Sequence, residues 1–255
     1  MEAARVAQGG LMKDHVNLNM HDYIHQAEGK LFFNKKLFGT IAPRYDFTNR
    51  ILSFGRDSTW KNSLVNDLPD NKDSHCLDIA CGTGDITFRL AAKYPAGKII
   101  GLDVTEPMID YARERNTFSN ITFTLQDMCQ MNFADASFDI VTGGYALRNA
   151  LNLEQALIEI RRVMKPGASA AFLDFSKPPN RFLQKTKGML LKFWGGFWGI
   201  LLYRNPQLYT YIAESLKLYP DRNALKQLIT KLGFTNIRSR KHFLGFAETI
   251  TFQKP

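Results

Sequence analysis

The stretch of sequence that decides the fold is residues 74–104, SHCLDIACGTGDITFRLAAKYPAGKIIGLDV. It predicts a buried strand, a glycine loop, an amphipathic helix and a second strand. Gly82 and Gly84 carry no Cβ, so the loop can turn tightly and approach a ligand. The crossing helix makes the two strands parallel, which brings Asp103 at the end of the second strand beside the loop. We therefore expect half of a nucleotide site, with Asp103 accepting hydrogen bonds from two ribose hydroxyls.

The residues around the glycines distinguish between two classes of cofactor. A dinucleotide fold uses G-x-G-x-x-G, but Thr87 stands at the third glycine position. The carboxylates of Asp78 and Asp85, on either side of the glycines, would repel a pyrophosphate and attract an ammonium group. S-adenosylmethionine (SAM) carries an amine, a sulfonium and an adenosine. The sequence therefore favours SAM over NAD, and over a strand-to-helix turn that binds no ligand.

Strands and helices alternate along the rest of the chain, which predicts an α/β fold whose parallel sheet is covered by helices on both faces. The pattern predicts strands near residues 75–80, 98–103, 121–125, 138–143, 169–174, 235–240 and 246–252, and helices over 85–93, 106–116, 152–164 and from Pro220 to near Gly233 with Asp221 as N-cap.

The 255 residues are expected to form one domain after a loose tail. The tail covers residues 1–30 and the domain residues 31–255. Aromatic and basic helices over 31–70 precede the first strand and are expected to form a lid over the pocket. A basic aromatic segment over 181–217 is the expected site of acceptor and membrane contact.

Composition points to a reducing compartment and an anionic partner. Cys76, Cys81 and Cys129 have no metal-ligand spacing, so we expect reduced thiols, no metal site, and a packing role for Cys81. The first 30 residues show no apolar core of a signal peptide. The net charge of +9 indicates that the partner is an anionic surface.

A basic and aromatic run between Lys177 and Arg204 predicts an interfacial helix. Its apolar part, 189–203, is shorter than the roughly 20 residues that span a bilayer, and it contains Lys192 and three glycines. We expect a cytoplasmic protein that associates peripherally with an anionic membrane and not with nucleic acid. A core-packing helix or a homodimer contact is the alternative. The cations of the run are Lys177, Arg181, Lys185, Lys187, Lys192 and Arg204.

Six ordered motifs resemble those of the SAM-dependent C-methyltransferases of menaquinone and ubiquinone biosynthesis. The resemblance implies a class I methyltransferase fold, a Rossmann-like sheet of seven strands with the last one antiparallel. It also implies methylation of a ring carbon on a polyprenylated quinol. The motifs are Tyr45-Asp46-x-x-Asn49-x-x-Leu52-Ser53-x-Gly55-x-x-x-x-Trp60-Lys61, Asp78-Ile79-Ala80-Cys81-Gly82-Thr83-Gly84-Asp85, Leu147-Arg148-Asn149, Lys165-Pro166-Gly167, Phe175-Ser176-Lys177-Pro178 and Ala213-Glu214-Ser215.

Demethylmenaquinol is the first expected acceptor. A ubiquinone precursor, another small aromatic or lipophilic metabolite, and a lipid-binding SAM protein without catalytic activity are the alternatives. This sequence departs from the family's usual pattern at Asp57, at Ala146 and in the C-terminal strand. These positions shape the acceptor side of the pocket.

The resemblance also implies cofactor contacts beyond the glycine loop. They fall on Thr87 in the helix after the loop, on Asp103 at the ribose, on Asp127 and Met128 near the adenine, and on Gly144. With Asp78, Gly82 and Gly84 of the loop, these residues form the predicted SAM site.

Methyl transfer from a sulfonium is an in-line displacement, for which alignment and exclusion of water suffice and no metal is needed. The acceptor must be the reduced quinol, because an ionised hydroxyl makes the ring carbon nucleophilic. Arg148 is expected to stabilise the phenolate or hold a water, or else to form a structural ion pair. Asn149 would orient it or cap the next helix. Tyr45 and Asp46 would reach the acceptor from the lid, Asp46 as a base through water or only as an N-cap.

Overall fold

The computed structural model describes residues 27–204 and 207–255 of the chain. Most of the expected tail, residues 1–26, lies outside the described residues. The first helix begins at Ala27, four residues before the predicted start of the domain at residue 31.

One mixed sheet of seven strands organises the described chain. Its order is β3-β2-β1-β4-β5-β7-β6, and β7 runs antiparallel to both neighbours, as predicted. All four residues of β1 are buried, which fits a central strand covered on both faces. The strands are β1 (Cys76–Ile79), β2 (Ile99–Asp103), β3 (Ile121–Leu125), β4 (Phe138–Gly144), β5 (Met164–Phe175), β6 (Thr235–His242) and β7 (Ala247–Gln253).

Helices pack around this sheet, and the first three precede it in the chain. The α/β class, the alternation of elements and the antiparallel last strand are confirmed. The helices are α1 (Ala27–Ile41), α2 (Tyr45–Leu52), α3 (Asp57–Asn66), α4 (Asp85–Lys93), α5 (Glu106–Arg115), α6 (Leu153–Val163), α7 (Arg181–Tyr203), α8 (Gln207–Leu218) and α9 (Arg222–Lys231).

One predicted boundary and one considered helix cap differ from the structure, and one predicted helix cap is confirmed. The fifth strand begins at Met164 instead of 169, because the N–H of Gly167 still bonds to the carbonyl of Lys254 and extends the pairing. Helix α6 is capped by the side chain of Asn152, so the helix-capping role considered for Asn149 is wrong. Asp221 caps α9 as predicted, accepting from two backbone N–H groups.

Helix α7 has one outward apolar face and one buried face. Lys187, expected among the surface cations, is instead half-buried and donates to three backbone carbonyls, including those of Gly245 at 2.9 Å and Phe246 at 2.8 Å. Burial lowers the pKa of Lys187 to about 7. Lys192 is exposed but pairs with Glu214 at 3.0 Å. None of the helices in residues 27–204 and 207–255 combines the length and hydrophobicity needed to cross a bilayer.

Candidate active site

The glycine loop between β1 and α4 holds the carboxylate of Asp103. Gly82 and Gly84 have φ of +55° and +86°, a region that favours glycine. Their turn aims the N–H of Gly82 at one Asp103 oxygen, at 2.9 Å, while the N–H of Thr105 donates to the other at 2.8 Å. Burial raises the pKa of Asp103, and the backbone donors stabilise its charged form. Asp103 is therefore a fixed acceptor beside the loop.

Asp78 lies beneath the loop. Its side chain is fully buried and accepts from the hydroxyls of Thr87 at 2.7 Å and Thr142 at 2.9 Å. Burial raises the pKa of Asp78 to about 6, although both hydroxyls favour the charged form. These bonds tie the strand before the loop to the helix after it and to β4. Asp78 and Thr87 thus hold the shape of the loop from below.

The predicted lid contacts the loop through α2. The Tyr45 ring lies 3.4 Å from the place where a Cβ on Gly82 would stand. Asp46 accepts from the hydroxyl of Thr83 at 2.6 Å and pairs with Arg115. Helix α2 begins at Tyr45, so Asp46 is in its first turn and is not the N-cap. Asp46 therefore joins the lid to the loop and to α5.

A buried group of charges stands beside the loop and was missed among the predicted site residues. The ammonium of Lys61 lies 2.7 Å from Asp57 and 2.9 Å from Asp85, and Arg89 pairs with Asp85. Burial alone would lower the pKa of Lys61, but the two carboxylates raise it above its usual range. The hydroxyl of Tyr145 donates to Asp57 at 2.7 Å. Asp85, which was expected to attract the cofactor's amine, is thus already paired with two cations.

The spacing of Asp57 and Lys61 was the available signal for this group, since residues four apart share a helix face. Their link to Asp85 joins α3 to α4 and has no local pattern in the sequence.

An apolar pocket lies next to the loop, under α1 and α2. Its polar edge is formed by Tyr45, Asn49, Tyr145, Arg148 and Asn149. Asp46 is not among its lining residues. The apolar wall is formed by Leu37, Phe38, Ile41, Leu52, Phe175 and Ile212, with Thr48 and Tyr211 completing the lining.

Arg148 reaches this pocket from a buried ion pair. Its Nε lies 3.2 Å from Asp174, its backbone N–H donates to the same carboxylate, and a terminal nitrogen donates to the hydroxyl of Ser215. The guanidinium also lies 5.7 Å from the ring centre of Phe175. The structural ion pair considered for this residue is therefore present, and it fixes the cation at the edge of the pocket.

Asn149 and Asn49 differ in how their amides are used. Asn149 donates to the carbonyl of Tyr145 at 2.8 Å, and its oxygen shares the single hydroxyl hydrogen of Tyr211, at 2.7 Å, with Asn34. Its side chain therefore joins the loop to α8. Asn49 Nδ2 is buried and has no hydrogen-bond partner of good geometry among the described residues. Its side chain does interact with the hydroxyl of Tyr45, where it partly offsets the effect of burial on the pKa of that phenol. An unpaired buried donor is costly, which marks Asn49 as a group that a ligand would satisfy.

The remaining predicted cofactor residues lie at the ends of β3 and β4. The N–H of Gln126 bonds to the carbonyl of Asp103, which brings Asp127 and Met128 beside the end of β2. A Cβ on Gly144 would stand 2.7 Å from Cδ1 of Ile86 in α4 and 3.9 Å from Lys61. The structure thus brings the predicted cofactor residues to one edge of the sheet.

The site fits the chemistry of SAM. Asp103 offers a fixed carboxylate for the ribose, and the glycine positions leave room where side chains would clash. The fixed cations at Lys61 and Arg89 are neutralised by Asp57 and Asp85, so the cofactor's positive sulfonium meets no unbalanced cation there.

Comparisons with known proteins support the fold and the class of enzyme. Residues 26–253 match the model of the ubiE/COQ5 methyltransferase family. Demethylmenaquinone methyltransferase of Staphylococcus aureus is 32% identical over 214 residues, which cover 83% of this chain and 89% of that protein.

Solved structures show the same fold. A SAM-dependent methyltransferase from Aquifex aeolicus superimposes with a TM-score of 0.60 at 15% identity, over 85% of this chain and 98% of that one. Haemonchus contortus phosphoethanolamine N-methyltransferase 2, in complex with S-adenosyl-L-methionine, gives 0.58 at 14% identity, over 77% and 52%. The chain is a SAM-dependent methyltransferase and belongs to the ubiE/COQ5 methyltransferase family.

Proposed function

We propose that this enzyme methylates a ring carbon of a polyprenylated quinol, with demethylmenaquinol as the first acceptor. The proposal rests mainly on Tyr45, which contacts both the cofactor loop and the apolar pocket. Its ring covers Gly82 of the cofactor loop and also lines the apolar pocket under α1 and α2. The pocket holds only about 30 Å³, so α1 and α2 must move outward to admit an aromatic ring, which would then lie next to the bound cofactor. The Staphylococcus relative supports a quinol ring as the occupant.

The pocket has the groups that a quinol would need. When bound, SAM supplies an electrophilic methyl on its sulfonium. An ionised quinol hydroxyl makes the ring carbon nucleophilic, and the fixed guanidinium of Arg148 stabilises that phenolate. Burial raises the pKa of Tyr45 to about 12, so its phenol stays protonated and donates a hydrogen bond instead of acting as a base. A water at the polar edge of the pocket accepts the ring proton.

Asn49 is the proposed donor to the second quinol oxygen, because its buried amide has no hydrogen-bond partner of good geometry among the described residues. Asn49→Leu keeps the side-chain volume and removes the donor. We expect turnover to fall about tenfold, the loss of one hydrogen bond, with SAM affinity unchanged. Normal turnover in the folded variant would remove Asn49 from the acceptor site.

The outer face of α7 supports association with a membrane surface. Phe182, Met189, Phe193, Phe197 and Ile200 recur at helical spacing and are each more than half exposed. Exposed Arg181 and Lys185 flank this stripe, and the chain carries a net charge of +9. A charged and apolar helix face of this kind binds the interface of an anionic bilayer, where a polyprenyl quinol resides.

A panel of acceptors tests the proposed reaction. Purified enzyme and SAM are incubated anaerobically in detergent with demethylmenaquinol, a ubiquinol precursor that lacks the ring methyl, or a tailless catechol. We expect the highest kcat/KM with demethylmenaquinol and none with its oxidised quinone. Preference for the ubiquinol precursor would make a ubiquinone precursor, instead of demethylmenaquinol, the acceptor. Preference for the catechol, or no turnover with any quinol, would overturn the proposal.

A further inference from the structure

A continuous series of aromatic contacts joins the acceptor pocket to the outer face of α7. It starts at Tyr145 and Phe175, which line the pocket, and ends at Phe197, whose side chain is 57% exposed. The centroid distances along it are Tyr145–Phe175 5.2 Å, Phe175–Phe246 5.5 Å, Phe246–Phe54 5.8 Å, Phe54–Trp194 5.0 Å, Trp194–Trp198 5.8 Å and Trp198–Phe197 5.4 Å.

Trp194 also reaches the pocket by a shorter path. It packs against the hydrophobic cluster that contains Leu37, Ile41 and Leu52, and these three side chains line the apolar wall of the pocket. Both paths therefore meet at Trp194. On its other side, the series continues through Trp198 to the exposed face of the helix.

The contact that closes this route is the stack of Phe54 on Trp194, with an interplanar angle of 18°. Phe54 lies in the turn after α2, has φ of +54° and is 42% exposed. The indole nitrogens of Trp194 and Trp198 are buried without a hydrogen-bond partner in the described chain. Because unpaired buried donors weaken a closed arrangement, this contact is suited to opening.

We propose that Phe54 and Trp194 form a gate through which the polyprenyl tail of the acceptor leaves the pocket and reaches the apolar face of α7. The inference rests on the proposed quinol acceptor and adds the binding site of its tail. The polar edge of the pocket takes the ring oxygens, so the tail must leave on the apolar side. That side is the wall against which Trp194 packs.

Isoprene units suit this route because they are flat and apolar and gain dispersion energy on aromatic faces. A tail that follows the rings stays out of water from the ring-binding pocket to the helix face that we assign to the membrane. The gate thus distinguishes a tailed quinol from a tailless ring of the same chemistry.

The test compares a long-tailed demethylnaphthoquinol with its tailless ring in detergent micelles, where membrane binding plays no part. Trp194→Ala should lower kcat/KM for the tailed acceptor about tenfold and leave the tailless acceptor nearly unchanged. Trp194→Phe, which keeps a ring, should retain most of the preference for the tail. Phe133→Ala is the matched control, because Phe133 is half-buried and packs on Phe138 outside the series.

An unchanged tail preference in Trp194→Ala, or an equal loss with both acceptors, would overturn the gate. If the wild type methylates neither acceptor, the proposed function itself fails.

A second measurement keeps Trp194 itself in place. In the double variant with Trp60→Phe and Trp198→Phe, Trp194 is the one tryptophan that remains. A quinone with a brominated tail should quench its fluorescence more than the unbrominated compound does, and equal quenching would contradict the gate.

Discussion

The side chain of Asp103, the proposed acceptor for the ribose hydroxyls, is held in place by the protein's own backbone. Two backbone N–H groups, from Gly82 and Thr105, hold its oxygens and compensate for its burial. A carboxylate fixed in this way needs no reorganisation when ribose hydroxyls approach. The same glycine loop that provides one of these donors also forms the floor of the cofactor site. The position of Asp103 and the shape of the loop therefore depend on each other.

Asp103→Ala should weaken SAM binding by roughly ten- to a hundredfold, because it removes a charged acceptor of two hydrogen bonds. Calorimetric titration measures the effect. Asp110→Ala removes an exposed carboxylate on α5 and serves as the control, with unchanged affinity. Equal SAM affinity in the folded Asp103 variant would remove this residue from the site.

Asp78 should make stability depend on pH. Its folded pKa of about 6 lies above the unfolded value near 3.9, so the folded chain binds this proton more readily between those values. The carboxyl thus stabilises the fold less as pH rises from about 4 to about 6. Asp78→Asn cannot titrate, so its unfolding free energy relative to wild type should increase by about 2 kcal/mol across that window.

Urea unfolding at a series of pH values, without cofactor, gives the two curves. Asp70→Asn, at a side chain that is 93% exposed, is the control for removing a surface carboxylate. A difference between Asp78→Asn and wild type that stays constant with pH would contradict the buried carboxyl with a raised pKa.

Arg148→Lys keeps the charge but loses the planar fork that holds both Asp174 and Ser215. We expect turnover on the quinol to fall about tenfold or more, while SAM affinity stays unchanged. Arg162→Lys, at another ion-paired arginine on α6 outside the pocket, is the matched control. Normal turnover in Arg148→Lys would make the ion pair purely structural, and a parallel loss of SAM affinity would make Arg148 an anchor of the loop.

Residue positions set by one strand or one turn could be predicted from the sequence, and those set by distant pairs could not. Asp103 follows from the end of a strand and a glycine loop. The partner of Arg148 is Asp174, 26 residues away on β5, and nothing in the local pattern links them. Lys61 and Asp85 are 24 residues apart and meet only because α3 packs against α4.

At the scale of elements, α7 is a helix with two different faces. Lys187 and Trp194 lie on the inner face, where Lys187 fastens the helix to the turn before β7 and Trp194 packs against the lid. Phe193 and Lys185 lie outside. The basic and aromatic composition of this segment predicts an interfacial helix, but composition does not show which cations face inward. Lys187 turns inward because backbone carbonyls, which the sequence pattern does not show, accept hydrogen bonds from its side-chain nitrogen.

The outer face should control binding to anionic vesicles. Each surface cation contributes about 1 kcal/mol to the free energy of membrane binding. The double variant with Arg181→Glu and Lys185→Glu should therefore bind at least about tenfold more weakly at physiological salt. Lys187 is left intact, because a carboxylate there would face backbone carbonyls and disturb the fold.

The matched control for that double variant is Lys72→Glu, Lys98→Glu. Both lysines are exposed and lie before β1 and β2, at the opposite edge of the sheet from the start of α7. Co-sedimentation measures binding, and SAM affinity verifies the fold. If both double variants lose binding equally, net charge and not α7 determines association. If neither loses it, α7 does not bind the membrane.

The sheet places the glycine loop and the apolar pocket side by side. The carboxyl ends of β1 and β2 carry the cofactor loop and Asp103, and the loop after β4 carries Tyr145 and Arg148. Helices α1 and α2 line the pocket, and Tyr45 of α2 also contacts the glycine loop. The alternation of elements in the sequence predicts a parallel sheet but not the order of its strands. The acceptor pocket is built from helices at both ends of the domain. For that reason its lining required the structure.

The most direct test of the account identifies the methylated product. Enzyme is incubated anaerobically with methyl-labelled SAM and a reduced lipid extract, and the labelled lipid is analysed by mass spectrometry and NMR. We expect one labelled polyprenyl quinol that carries the new methyl on a ring carbon. A label on oxygen or nitrogen, on a water-soluble molecule, or on no lipid at all would contradict it.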